Sequence, residues 1–284
     1  MSWPVLLAVL CGALLHALWN TVVKSSGDKT ADTALVHFMG AVVGLPLLLW
    51  LGPPRAECWP FIAVSLVLHV GYYIALAGAY EHGELGMTYP IMRGFAPLLV
   101  ALGSVAVVGE APTAAAWLGI LGITIGVALV GLAHPGEALH HRKALMFALA
   151  NAGIIACYTL VDGLGVRASQ DALRYVLALF VIDGLPYPLL VAWRRGRDGR
   201  AALLRYARGR WPVATCAGVA SAASYAIALW AMTRAPVASV AALRETSVLF
   251  AAVLGTFVLK ERFGMQRALG TMVVVAGVVA LRLG

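Results

Sequence analysis

Ten runs of about 20 apolar residues follow one another with little between them, and no polar stretch is long enough to fold on its own. Each run matches the roughly 20 residues of helix needed to cross a bilayer's hydrocarbon core. The runs cover residues 3–24, 31–51, 59–80, 86–108, 113–133, 144–166, 171–193, 211–233, 237–259 and 266–283. Composition agrees. The chain is 61% hydrophobic and 12% charged, where a soluble domain is about 45–50% apolar and about 25% charged. This is an all-α polytopic membrane protein, and a soluble globule is excluded. The first run lacks a basic leader and a small-residue cleavage site, so it is expected to be a retained helix.

The two halves repeat each other. Gly44–Pro46 and Gly184–Pro186 both read GLP, and Ile74–Leu76 and Ile227–Leu229 both read IAL. Arg93 and Glu110 are 17 residues apart, as are Arg244 and Glu261. Gly119 and Gly126 match Gly270 and Gly277 at the same offset of 151. Five helices is an odd number, so the second half, 136–284, is expected to insert upside down relative to the first, 1–135. Inverted repeats of this kind build many secondary transporters, with the site near the midplane where the halves meet.

Charges inside the runs mark that site. Arg244 lies seven residues into its run, roughly 10 Å deep at 1.5 Å per residue. Arg93 lies equally far into the fourth run and reaches the middle from the opposite face. An arginine at the bilayer centre costs about 2.5–3.5 kcal/mol on insertion scales, so each must meet an acid, a carbonyl or water. Glu245 has no repeat partner, because Gly94 takes its place. It is a candidate for substrate or proton handling, or a neutraliser of Arg93. Tyr89, His16, Trp19, Asn20, His69, Tyr73, Tyr158 and Tyr225 join the two arginines and Glu245 as candidate substrate contacts. Aromatic rings around a few charges suit an organic ion. Asp183 and Glu245 are the candidate coupling residues. For His16 and Asn20, bonding between helices is the competing reading. Asp162 and Tyr80 are expected at the membrane interface. Glu110 and Glu261 are expected to form loop salt bridges or caps. Gly122 and Gly126 form a GxxxG that packs the bundle or makes a homodimer.

No HExxH, GxSxG or Walker A sequence occurs, so neither an intramembrane enzyme nor ATP drive is expected. No catalytic residue, cofactor or metal site is expected, and His134, His140 and His141 read as a solvated loop. Seven arginines lie between Arg194 and Arg210. They are read as a loop facing anionic lipid, not nucleic acid. Loops after odd-numbered runs hold 14 Lys and Arg against 5 on the other side, which places both termini outside by the positive-inside rule.

The stretches LLHALWNTVVK, YPIMRGFAPLLVALGSVAVVGE and ALRETSVLFAAVLGTFVLKER resemble the drug/metabolite transporter superfamily, EamA type, over essentially the whole chain. The resemblance implies a ten-helix transporter with a central cavity and both termini in the cytoplasm, opposite to the charge count. The expected activity is export of a small charged or zwitterionic, amino-acid-like metabolite by alternating access, with a proton as a candidate coupling ion. The expected location is the bacterial inner (plasma) membrane, with lipids and a small-molecule substrate as partners. Efflux of organic cations or drugs is the alternative within transport, and a non-transporting assembly partner is the alternative outside it.

Overall fold

The computed structural model describes residues 1–83, 85–131, 142–258 and 264–283. Glu261, His134, His140 and His141 lie outside the described residues, as does the expected boundary at residue 135. The described helices are α1 (Trp3–Lys24), α2 (Lys29–Leu51), α3 (Trp59–His82), α4 (Leu85–Gly103), α5 (Ala114–Gly131), α6 (Arg142–Ser169), α7 (Ala172–Asp183), α8 (Pro186–Arg194), α9 (Gly196–Met232), α10 (Val237–Arg244), α11 (Ser247–Val258) and α12 (Met265–Leu283). Among the described residues nine spans are long and apolar enough to cross a membrane, and Ala114–Val130 is a shorter apolar helix. Large apolar side chains such as Leu49, Val67, Leu118, Met146 and Leu189 point outward. In water that surface would aggregate; against lipid chains it is matched. The chain is an integral, multi-pass membrane protein.

Three expected runs take a different form. The seventh is two helices, α7 and α8, broken after Asp183 at Gly184-Leu185. The break has a cause: Pro186 and Pro188 have no N–H to continue an α7 ladder. The ninth is also two helices, broken at Glu245-Thr246. The eighth begins 15 residues early, because the arginine-rich segment is not a loop but the opening stretch of α9, a 37-residue helix. At 1.5 Å per residue α9 is roughly 55 Å long, well beyond the roughly 30 Å hydrocarbon core.

Helix packing is reciprocal between the halves. α1 packs on α9 while α3 packs on α6, and α2 packs on α7. α5 and α12, the last helices of their halves, lie closer together than side chains allow. A Cβ at Gly126 would sit 2.8 Å from the Gly270 carbonyl oxygen, and one at Gly277 would sit 2.8 Å from the Gly119 carbonyl oxygen. Gly122 faces Gly277 across the same contact. The GxxxG therefore packs the bundle from within one chain. Because backbone cannot yield as a side-chain tip does, Gly126→Ala is expected to cost about 1–3 kcal/mol. Thermal unfolding of the detergent-purified variant checks this, and an unchanged Tm would refute the close approach.

The arginine-rich stretch of α9 is tied to the start of α2. Arg195 grips Asp28 with both terminal nitrogens, each 2.7 Å from an oxygen. Arg210 donates to both oxygens of buried Asp32, at 3.2 and 2.7 Å. The Tyr206 hydroxyl also donates to Asp32, at 2.9 Å. Forked arginine–carboxylate pairs are the stronger kind. Arg195 and Arg210 are thus committed within the protein, while Arg194, Arg197, Arg205 and Arg208 remain exposed. The hydrogen bond from Arg195 holds the Asp28 carboxyl below its ordinary 3.8. A depressed carboxyl stabilises the fold above its unfolded pKa and loses that contribution as pH falls through the folded value. Asp28 also caps α2 through Ala31, a role Asn fills equally well. Asp28→Asn therefore isolates the ion pair. It should cost at most about 1 kcal/mol at pH 7, with no difference from wild type in strong acid. A Tm difference that persisted there would contradict the assignment.

Candidate functional site

The charged residues meet where α4, α6 and the break between α10 and α11 come together. A cleft is lined there by Arg93, Pro97, Tyr158, Thr159, Arg244 and Glu245, with Ala96, Val100, Ile155 and Ala241 as its apolar walls. Local sequence builds each side. On α4, Pro97 has no N–H to offer the carbonyl of Arg93 four residues earlier, so the backbone is loosened beside the guanidinium. On the other side the chain leaves α10 through i→i−3 hydrogen bonds, Glu245 N–H to Ala242 O at 3.0 Å and Thr246 N–H to Leu243 O at 3.1 Å. That tightening turns Arg244 and Glu245 into the cleft and frees backbone where it lines a cavity, the setting in which membrane proteins tolerate irregular structure.

The Arg93 Nε and Glu245 Oε2 atoms are 2.9 Å apart, with the two residues 8% and 5% exposed. Opposite charges at this distance compensate each other. The contact is off the N–H direction, however, and neither atom makes an aligned hydrogen bond among the described residues. Arg244 is held differently. Its guanidinium lies 5.0 Å above the ring of Tyr225, and no carboxylate of a described residue lies within ion-pair distance of it. Tyr225 is itself fixed, because its hydroxyl donates to Asp162 Oδ2. Tyr175 donates to the other oxygen at 2.8 Å. Asp162 is thus fully buried within the protein: it anchors the ring on which Arg244 rests.

The remaining candidates divide. His69 stacks on Tyr158, centroids 4.6 Å apart, and so supports the cleft wall. His16 and Tyr89 lie within electrostatic reach of Arg93. Trp19 packs instead on the cluster of Val36, Ala214 and Ala217, and its Nε1–H donates to His16 Nδ1 at 3.3 Å. Asn20 gives its amide to the His16 carbonyl of its own helix, at 2.7 Å. Tyr73 and Asp183 are joined to each other away from the cleft, at 3.1 Å. Two tyrosines not singled out from the sequence, Tyr175 and Tyr187, belong to these buried clusters. Their only sequence signal is position, one turn into α7 and directly after GLP.

Glu110 ties the halves together. Gly109 takes φ +74°, a left-handed turn that glycine adopts without penalty, and Glu110 follows it. One carboxylate oxygen accepts from Val237 N–H at 2.9 Å, at the start of α10. The other pairs with Arg167 at 2.7 Å. Glu110 is therefore both a salt-bridge and a capping residue, and it fixes the helix that carries Arg244.

A profile of the EamA-like transporter family matches residues 3–132 and again 142–283. The chain belongs to the EamA-like transporter family, with two copies of its repeat. No curated protein matches it. A solved structure described only as "Crystal structure of protein" is similar in fold, with a TM-score of 0.72 and 17% identity. The alignment covers 98% of this chain and 95% of that one. At that identity the likeness speaks for the fold alone.

Proposed function

We propose that this protein is a secondary transporter that exports a small carboxylate-bearing, amino-acid-like metabolite across the bacterial inner membrane by alternating access. Its architecture is ten transmembrane helices in two inverted five-helix repeats, a reading supported by the repeated family match and the reciprocal helix packing. The observation that carries the substrate class is Arg244: a guanidinium at a central cleft, stacked on a tyrosine, without a carboxylate partner among the described residues. Arg244 is half-buried, and charges within a membrane protein pair with a counter-charge or face a cavity, so a substrate carboxylate would supply the match that the described residues do not. Arg93 joins it from α4, while Tyr158 and Tyr225 offer aromatic faces to the organic moiety. Organic-cation efflux is the weaker reading because the one carboxylate of the cleft, Glu245, is already matched by Arg93.

The test is a thermal-shift screen of the purified protein against amino acids, aminophosphonates, nucleobases and organic cations, repeated with Glu245→Gln. Stabilisation by a zwitterion or anion that persists in the variant is expected. Stabilisation by cations alone, lost in the variant, would overturn the substrate class.

A further inference from the structure

A second polar cluster lies where α2, α3, α7 and α8 meet. α7 ends at Asp183, and the chain breaks there before Pro186 starts α8. Asp183 is 8% exposed. Its Oδ2 accepts from the Tyr73 hydroxyl at 3.1 Å. His37 Nδ1 is 3.8 Å from the same oxygen and 3.5 Å from the Tyr73 hydroxyl. Tyr187 stacks on Tyr73, centroids 4.8 Å apart. The other oxygen, Oδ1, is closed off from solvent and has no hydrogen-bond partner among the described residues. No lysine or arginine among them lies within ion-pair distance of Asp183. Glu245 has a permanent counter-charge, and Asp183 has none among the described residues.

A buried carboxylate without a counter-charge costs several kcal/mol unless a cation joins it. A hard metal ion takes about six oxygen ligands, and beyond its own carboxylate this cluster offers one hydroxyl and an imidazole. A proton needs no such shell and fits on the closed Oδ1. His37 adds an imidazole, a second group able to take or give a proton. We infer that Asp183, with His37 and Tyr73, is a proton-binding site of the transport cycle, separate from the arginine cleft. The inference rests on the transport reading. The proton comes from water on one side, sits on Asp183, and leaves to water on the other; no bond in the substrate changes.

The two sites are joined by aromatic contacts. Tyr73 meets Tyr72 edge-on at 5.5 Å, Tyr72 meets Tyr158 at 6.3 Å, and Tyr158 lines the cleft. The helix breaks beside Asp183 and at Glu245 give the structure two places to change shape. The titratable groups facing Asp183 are His37 from α2, Tyr73 from α3 and Tyr187 from α8, with His69 of α3 acting on His37. Any pH response is therefore that of the group, and variants must separate its members.

The test is pH-difference infrared spectroscopy of the protein in lipid, with each variant first shown to unfold near the wild-type temperature. A buried carboxylic-acid C=O band is expected to appear as pH falls, to vanish in Asp183→Asn and to move in Tyr73→Phe and His37→Gln. It should persist in Arg244→Ala, so that failure of the cleft and failure of the proton site are read apart. A mixture of the common amino acids, with Asp183→Asn as the blank, should change the proton affinity about fivefold or more in wild type and not in Arg244→Ala. A band that survives Asp183→Asn overturns the assignment. A band that Asp183→Asn removes but amino acids never move overturns the link to transport.

Discussion

Arg244→Ala is expected to lose carboxylate binding by about 30-fold to several thousandfold. Removing one partner of a desolvated, hydrogen-bonded charge pair costs about 2–5 kcal/mol, and each 1.4 kcal/mol is tenfold in affinity. The reason for the size lies in the site. Arg244 has no carboxylate of its own to satisfy among the described residues, so its charge is fully available to a ligand. It is also positioned before any ligand arrives, by the Tyr225 ring beneath it and by Asp162, which holds the Tyr225 hydroxyl. Arg244→Lys should not restore binding. An ammonium keeps the charge but loses the planar fork and the stacked geometry. Calorimetric titration of both variants with the best ligand of the thermal screen checks this. Wild-type affinity in Arg244→Ala would remove the arginine from the site.

The second large effect concerns stability. Arg93→Met or Glu245→Met alone should cost about 3–5 kcal/mol, because each leaves an unmatched buried charge. The double variant Arg93→Met/Glu245→Met should recover most of that loss, since replacing both charges by apolar groups of similar size is often neutral. Unfolding of the four proteins as a double-mutant cycle reads the coupling directly. Additive losses in the double variant would mean that the 2.9 Å contact carries no energy.

The residues that were legible in the sequence were those whose cost in lipid is high. Arg93, Arg244 and Glu245 stand out because a bilayer does not tolerate them without a partner, and the structure brings all three to one cleft. Gly122 and Gly126 marked a close helix contact, because only a missing Cβ allows that approach, but Gly270 and Gly277 of α12, which meet them, stood out only as matches in the repeat. What the sequence did not show was how helices break and turn. The segment from Arg194 to Arg210 is polar enough to look like a loop, yet it is helical, held by Asp28 and Asp32 from far along the chain. Trp19 and Asn20 touch His16 but do not line the cleft, since Trp19 packs on α2 and α9 and Asn20 bonds the backbone of its own helix. Asp162 looked like an end-of-helix residue and is a buried anchor. Its role depends on Tyr175 and Tyr225, 13 and 63 residues further on, and no local pattern announces such a partnership.

In the proposed function the Arg244 cleft carries a carboxylate substrate across the membrane. Counterflow in liposomes tests it most directly: wild type and Arg244→Ala are preloaded with an unlabelled amino-acid mixture and presented with the labelled mixture outside. Saturable accumulation by wild type, absent in Arg244→Ala and inhibited by excess unlabelled carboxylate, is the predicted result. Equal accumulation by both proteins, or none by a wild type that still binds the same compounds, would contradict it.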